Sequence, residues 1–159
     1  KACSPHLASK LEGQKIDINK IKKSFRFLSK EFDFVIVEGT GGVSVPFSKK
    51  RLVIDIVKEL YLPVLLVAGN KLGAINHTLL TIEALRARKI KLLGLVFNNT
   101  KKEEKYILED NPRIIKALTK ERVFGILPRQ ASSQKLYEKF IPIAQRIANT
   151  IRKMVALPI

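Results

Sequence analysis

The apolar positions of this chain follow two patterns that alternate along it. Ile18, Ile21, Phe25, Leu28 and Phe32 recur at steps of three and four, the spacing of one face of an amphipathic helix. Asp17 or Asn19 is placed to cap its start. Four other runs, Phe34–Val37, Pro63–Val67, Leu92–Phe97 and Val123–Leu127, are short, almost wholly apolar and mostly rich in branched side chains. A run without polar alternation predicts a strand covered on both faces, as in a parallel sheet. Helical spacing returns over Arg51–Leu60, Ile75–Arg88 and, less regularly, Glu103–Leu118. A last helix predicted over Pro142–Val155 sets Ile143, Ile147, Ile151 and Met154 along one side. Strands alternating with helices make βαβ units and hence a parallel sheet wrapped by helices. With no repeat, low-complexity segment or linker to divide it, residues 1–159 are predicted to form a single α/β domain.

In an open parallel sheet, ligands bind at the carboxyl ends of the strands. The residues there are Glu38-Gly39-Thr40-Gly41-Gly42, Ala68 to Gly73, Asn98-Asn99 and Pro128-Arg129-Gln130. Glu38 is the sharpest of them. A carboxylate that ends a buried strand and precedes a glycine-rich turn offers a hard oxygen ligand beside backbone amides, which suits a magnesium–nucleotide site. A turn or capping glutamate has the same local signature. Leu72-Gly73-Ala74-Ile75-Asn76-His77 opens a helix whose first amides could take a carboxylate or phosphate. The Asn98 amide both donates and accepts and so matches a purine edge, although turn asparagines are as common.

Composition narrows the chemistry. Apolar residues at 46% and charged residues at 28% mark a globular chain rather than a disordered one. No apolar run approaches the roughly 20 residues of a membrane helix. Two histidines and one cysteine, Cys3, exclude a zinc centre and an internal disulfide, and fit a reducing, cytoplasmic setting. No elbow motif supports a serine nucleophile. Thirty Lys and Arg against fourteen Asp and Glu give a net charge of +16, which invites a nucleic-acid reading. The basic residues are scattered, however, and the aromatics lie on apolar stripes rather than on stacking platforms. A lysine-rich solvated surface is the better reading. No Gly-x-x-x-x-Gly-Lys-Ser/Thr loop occurs in these residues. The chain also opens without an initiator methionine, on a Ser4-Pro5 turn with nothing before it, and so reads as a fragment.

The motif FVIVEGTGG at 34–42 followed by Val45-Pro46, then LPVLLVAG at 62–69 and KLGAINHTLLT at 71–81, resembles the dethiobiotin synthetase family. Ser4-Pro5-His6-Leu7-Ala8 with Glu12-Gly13, Gly94 to Asn98 and Gly125 to Pro128 continue the likeness in order and spacing over residues 3–130. The resemblance implies a three-layer P-loop NTPase-like parallel sheet flanked by helices, with its N-terminal part missing. It also implies a cytoplasmic homodimer that uses ATP and Mg2+ to join CO2 to 7,8-diaminononanoate and close the ureido ring. On that likeness Glu38 holds the metal, and Glu38, Gly39, Thr40 and Gly41 line the ATP site. Asn98 reads adenine, Pro128, Arg129 and Gln130 edge the base pocket, and Gly73, Ala74, Ile75 and Asn76 grip the substrate carboxylate from a neighbouring subunit.

The family's catalytic lysine, phosphate loop and second magnesium carboxylate have no counterpart from Lys1 onward, so no catalytic residue is assigned. Lys135 stands roughly where the family commonly has an acidic residue. Two other readings share the sheet and the acid–glycine turn. One is a regulatory relative without ATP turnover; the other is a fragment of a cobyrinate-type amidotransferase synthetase.

Overall fold

Three of the four apolar runs pair as strands in the computed structural model, which describes residues 1–155. The chain divides into two units, Lys1–Leu62 with Ala84–Ile90, and Pro63–Glu83 with the residues from Lys91 onward.

The first unit opens with α1 (Pro5–Leu11). Ser4-Pro5 is therefore a helix start rather than a free turn, proline being well suited to a first helical position. Helix α2 (Ile18–Glu31) begins where the spacing predicts, and Asp17 caps it by accepting from the Asn19 N–H at 2.8 Å. None of α2 is buried. The run Phe34–Val37 joins no ladder among the described residues, and Ile36 is 82% exposed. The expectation of a strand covered on both faces is corrected here. Apolar, β-branched sequence favours extended backbone, but a strand also needs a neighbour for its N–H and C=O groups.

A short antiparallel pair follows, β1 (Pro46–Ser48) and β2 (Arg51–Leu52). Because Arg51 and Leu52 belong to β2, α3 spans only Val53–Glu59, burying Val53, Ile54 and Ile56.

The second unit is a helix-flanked parallel sheet. Its elements are β3 (Val64–Gly69), α4 (Ala74–Ala87) as far as Glu83, β4 (Leu92–Asn98), α5 (Lys105–Thr119), β5 (Val123–Leu127) and α6 (Ser133–Val155). The strand order is β3-β4-β5, all parallel. On one face Ala68, Leu95 and Phe97 pack with Ile82 of α4 and Ile115 of α5; on the other, Val96 and Phe124 pack with Ile143 and Ile147 of α6. Helix–sheet–helix layering is thus the α/β class the periodicity predicts. Burial of each large side chain of this core contributes about 1.5–3 kcal/mol.

Gly94 makes the tight β4–β5 seam possible. Its φ is +147°, and a Cβ there would lie 2.5 Å from the Arg122 carbonyl and 2.7 Å from Phe124 Cε2. The Leu95 N–H donates to that same carbonyl at 2.7 Å. Helix α6 begins well before Pro142, the predicted start, and carries that proline within it. Pro142 is exposed, so the hydrogen bond it forfeits falls on the solvent side. Among the described residues no helix is long and apolar enough to cross a membrane.

Candidate functional site

In the first unit the glycine turn rests on the start of α3. The Val53 and Ile54 amides donate to the Val45 and Val43 carbonyls at 3.0 and 2.9 Å, so two of the helix's orphan donors are satisfied by the loop itself. A Cβ on Gly39 would lie 3.3 Å from Val53 Cγ1, and Gly41 adopts φ +72° against Val45. The path of the turn therefore favours glycine at 41, while a side chain at Gly39 would press on Val53. Asp55 Oδ2 accepts from the Leu52 N–H at 2.8 Å, reaching back across the first turn, and Oδ1 accepts from Arg88 Nε at 3.3 Å. The backbone hydrogen bond from Leu52 is the main reason the Asp55 carboxyl titrates below its ordinary value; Arg88 adds to it and desolvation opposes it.

Glu38 and Thr40 are exposed on this turn. The Glu38 carboxylate is of the hard oxygen type magnesium takes, and magnesium commonly uses only one or two protein carboxylates alongside phosphate oxygens and water. Among the described residues no group of three or more His, Cys, Asp or Glu could hold a metal. A single-carboxylate site fits this donor set; an all-protein cage does not. Elsewhere in the unit Asp17, Asn19, Lys22, Arg51 and Glu59 line a polar cleft, but Lys22 and Arg51 both pair with Glu59. Hydrogen bonding from Lys22 chiefly holds Glu59 below the ordinary carboxylate value.

In the second unit, the strand ends gather the remaining candidates on one edge of the sheet. Asn98 is the last residue of β4, opposite Gly69 of β3 and Leu127 of β5, and is half-buried. Pro128 and Gln130 are half-buried and Arg129 is exposed in the turn that leaves β5. Gly73, at φ +85°, turns the chain into α4. Ala74 is buried and Ile75 packs against the core, so only their backbone faces any ligand role, whereas Asn76 is exposed. His77 lies exposed in the first turn of α4, where its carbonyl accepts from Thr81 Oγ1. Among the described residues His6 meets Ser4 Oγ, at 3.0 Å. Neither histidine belongs to a reactive grouping.

The structure adds a feature that periodicity does not show. Asn70, just after β3, is 1% exposed, and Asn111, inside α5, is 5% exposed. Asn111 Nδ2 donates to Asn70 Oδ1 and to the Lys71 carbonyl at 3.0 and 3.1 Å. Asn70 Nδ2 donates to Asn99 Oδ1 and to the Leu108 carbonyl, each at 2.9 Å. The pairing of Asn70 and Asn99 beside two strand ends was the one local hint of it.

A family model described as an AAA domain matches residues 1–135. The chain is 43% identical over 140 residues to an ATP-dependent dethiobiotin synthetase from Fusobacterium nucleatum, covering 86% of this chain and 63% of that protein. It is 42% identical over 135 residues to the synthetase of that name from Clostridium perfringens, covering 83% and 59%. A third, from Thermodesulfovibrio yellowstonii, is 41% identical over 133 residues, covering 79% and 55%. The chain thus spans between 55% and 63% of the length of these relatives.

Proposed function

Since the chain belongs to the AAA-domain family and is similar over most of its length to dethiobiotin synthetases, we propose that it takes part in ATP-dependent closure of the ureido ring of dethiobiotin. The substrates of this reading are 7,8-diaminononanoate, CO2 and ATP. One amine adds to CO2 to give a carbamate, whose oxygen takes the γ-phosphoryl group of ATP. The second amine then attacks the carbamoyl carbon, the C–N bond forms, and phosphate leaves with the bonding electrons.

Little covalent work falls to side chains in such a sequence, so the protein acts by holding and orienting. Asn98, fixed at the end of β4 between two paired strands, presents an amide to the adenine edge. Pro128, Arg129 and Gln130 border the base. Gly73 and Ala74 shape the turn into α4, the Ala74 amide closing it on the Lys71 carbonyl, and so aim the next amides, at Ile75 and Asn76, toward the substrate carboxylate. Glu38, with Gly39, Thr40 and Gly41, lies along the triphosphate. Magnesium, when bound to Glu38, supplies positive charge against the phosphate oxygens. We further propose a cytoplasmic homodimer in which Gly73–Asn76 reach the neighbouring subunit's site, and residues 1–159 as part of one α/β domain.

The observation that carries the reading is the common edge formed by Asn98, Gly73–Asn76 and Pro128–Gln130, where a parallel sheet binds ligands, in a chain so similar to the synthetases. The decisive experiment measures dethiobiotin formation by the complete natural protein supplied with the diamine, bicarbonate, ATP and magnesium. Product is expected from the wild type, with turnover reduced about a hundredfold or more by Glu38→Gln. A wild type without product overturns the activity, and an unimpaired Glu38→Gln removes Glu38 from the metal site.

A further inference from the structure

Asn70 stands between two loops that the reading above assigns to different ligands. Its main-chain N–H donates to the Asn98 carbonyl at 2.9 Å, and its side chain holds Asn99 Oδ1. Through Asn111 it is joined to the Lys71 carbonyl, which in turn accepts from the Ala74 amide at 3.0 Å, closing the turn into α4. We propose that Asn70, locked by Asn111, is a positioning residue that sets the nucleotide-side loop Asn98–Thr100 and the substrate-side loop Lys71–Asn76 as one piece. The inference rests on the assignment of those loops, but the hub itself does not.

The saturation of the network argues for this role over simple packing. Both N–H groups and the oxygen of the Asn70 amide are used, as are both N–H groups of Asn111, and no buried polar side-chain atom among the described residues lacks a partner. Filling the space between β3 and α5 needs only an apolar side chain, as the neighbouring core shows. Burying two amides is favourable only if each group is matched, and a matched network admits one geometry. That geometry fixes the carbonyls of Asn98 and Lys71, one on each loop. Neither Asn70 nor Asn111 need touch a ligand; they act through those two backbone segments.

Asn70→Asp and Asn111→Asp keep shape but turn oxygen toward oxygen at two contacts each. Asn99→Ala, milder because Asn99 is half-buried, serves where these do not fold. Ile147→Val, in the packing of α6 on the opposite face, is the stability control. In the complete natural protein, the asparagine variants are expected to raise the KM values for ATP and the diamine together, by about tenfold each, with kcat falling less. Backbone amide exchange should quicken in both loops at once while Leu95–Phe97 stays protected. The control should lower the unfolding midpoint and leave both KM values alone. A change confined to one KM, or exchange that quickens in one loop only, overturns the coupling, as does an asparagine variant that behaves like the control. A wild type without synthetase activity defeats the functional reading separately, and the exchange measurement then decides the hub alone.

Discussion

Phe34–Val37 and Leu92–Phe97 are apolar runs with opposite fates. Both are followed by polar or glycine residues. The second is the middle strand of a three-stranded sheet, with Phe97 at 0% exposure and helices on both faces. The first pairs with no strand among the described residues, and Phe34, Ile36 and Val37 are all exposed. The difference lies in what surrounds each run. Hydrophobic sequence supplies the tendency to extend, whereas neighbours satisfy the backbone and exclude water from the side chains. The groups at the two ends differ accordingly: Asn98 is held by paired strands, while the turn at Glu38 depends on its hydrogen bonds to the start of α3.

The contrast can be tested by substitutions of decreasing expected cost. Phe97→Ala should lower unfolding free energy by about 3–5 kcal/mol in denaturant titration, since a large side chain leaves a closed core. A loss below about 1 kcal/mol would mean the β4 core is loose in solution. Gly94→Ala should cost about 2–3 kcal/mol, because the added methyl meets backbone and ring with no room to move. Near-neutrality would show that the β4–β5 seam can open. Asp55→Ala should cost about 1 kcal/mol by removing the acceptor that closes the first turn of α3.

Asp55 also gives this effect a pH signature. The folded carboxyl titrates below its ordinary value, so its contribution is complete above the ordinary carboxylate range and is lost as pH falls through the lower folded value. The wild type should therefore lose stability relative to Asp55→Ala on acidification in that window, and parallel pH profiles would exclude the linkage. Ile36→Ser should change stability by less than about 0.5 kcal/mol. A cost above about 2 kcal/mol would show that Phe34–Val37 is packed in solution, and the contrast would disappear.

Elements whose signals are local were legible from residue spacing. The bounds of β5 are those of the apolar run Val123–Leu127, and α2 starts behind Asp17 as its cap predicts. The parallel α/β class followed from the alternation of these signals. Proline was ambiguous: Pro142 has the look of a first-turn residue but lies inside α6, while Pro5, which does start a helix, looked like part of a turn. The pair β1 and β2 is too short to show a period. The placement of Asn98, Gly73–Asn76 and Pro128–Gln130 at or just after strand ends was legible because those are the points where the chain turns. Asn111 was not, since its partner Asn70 is 41 positions away and an asparagine within a helical stretch carries no mark of the fold that will bury it.

The seam at Gly94 has a consequence for how the gene can drift. Any base change that alters a glycine codon's meaning brings in either a stop or a residue with a Cβ, and here a Cβ meets the Arg122 carbonyl before it meets anything that can yield. The position has no tolerable one-step neighbour, so descendants of this sequence should keep glycine there even while lysines on the surface come and go.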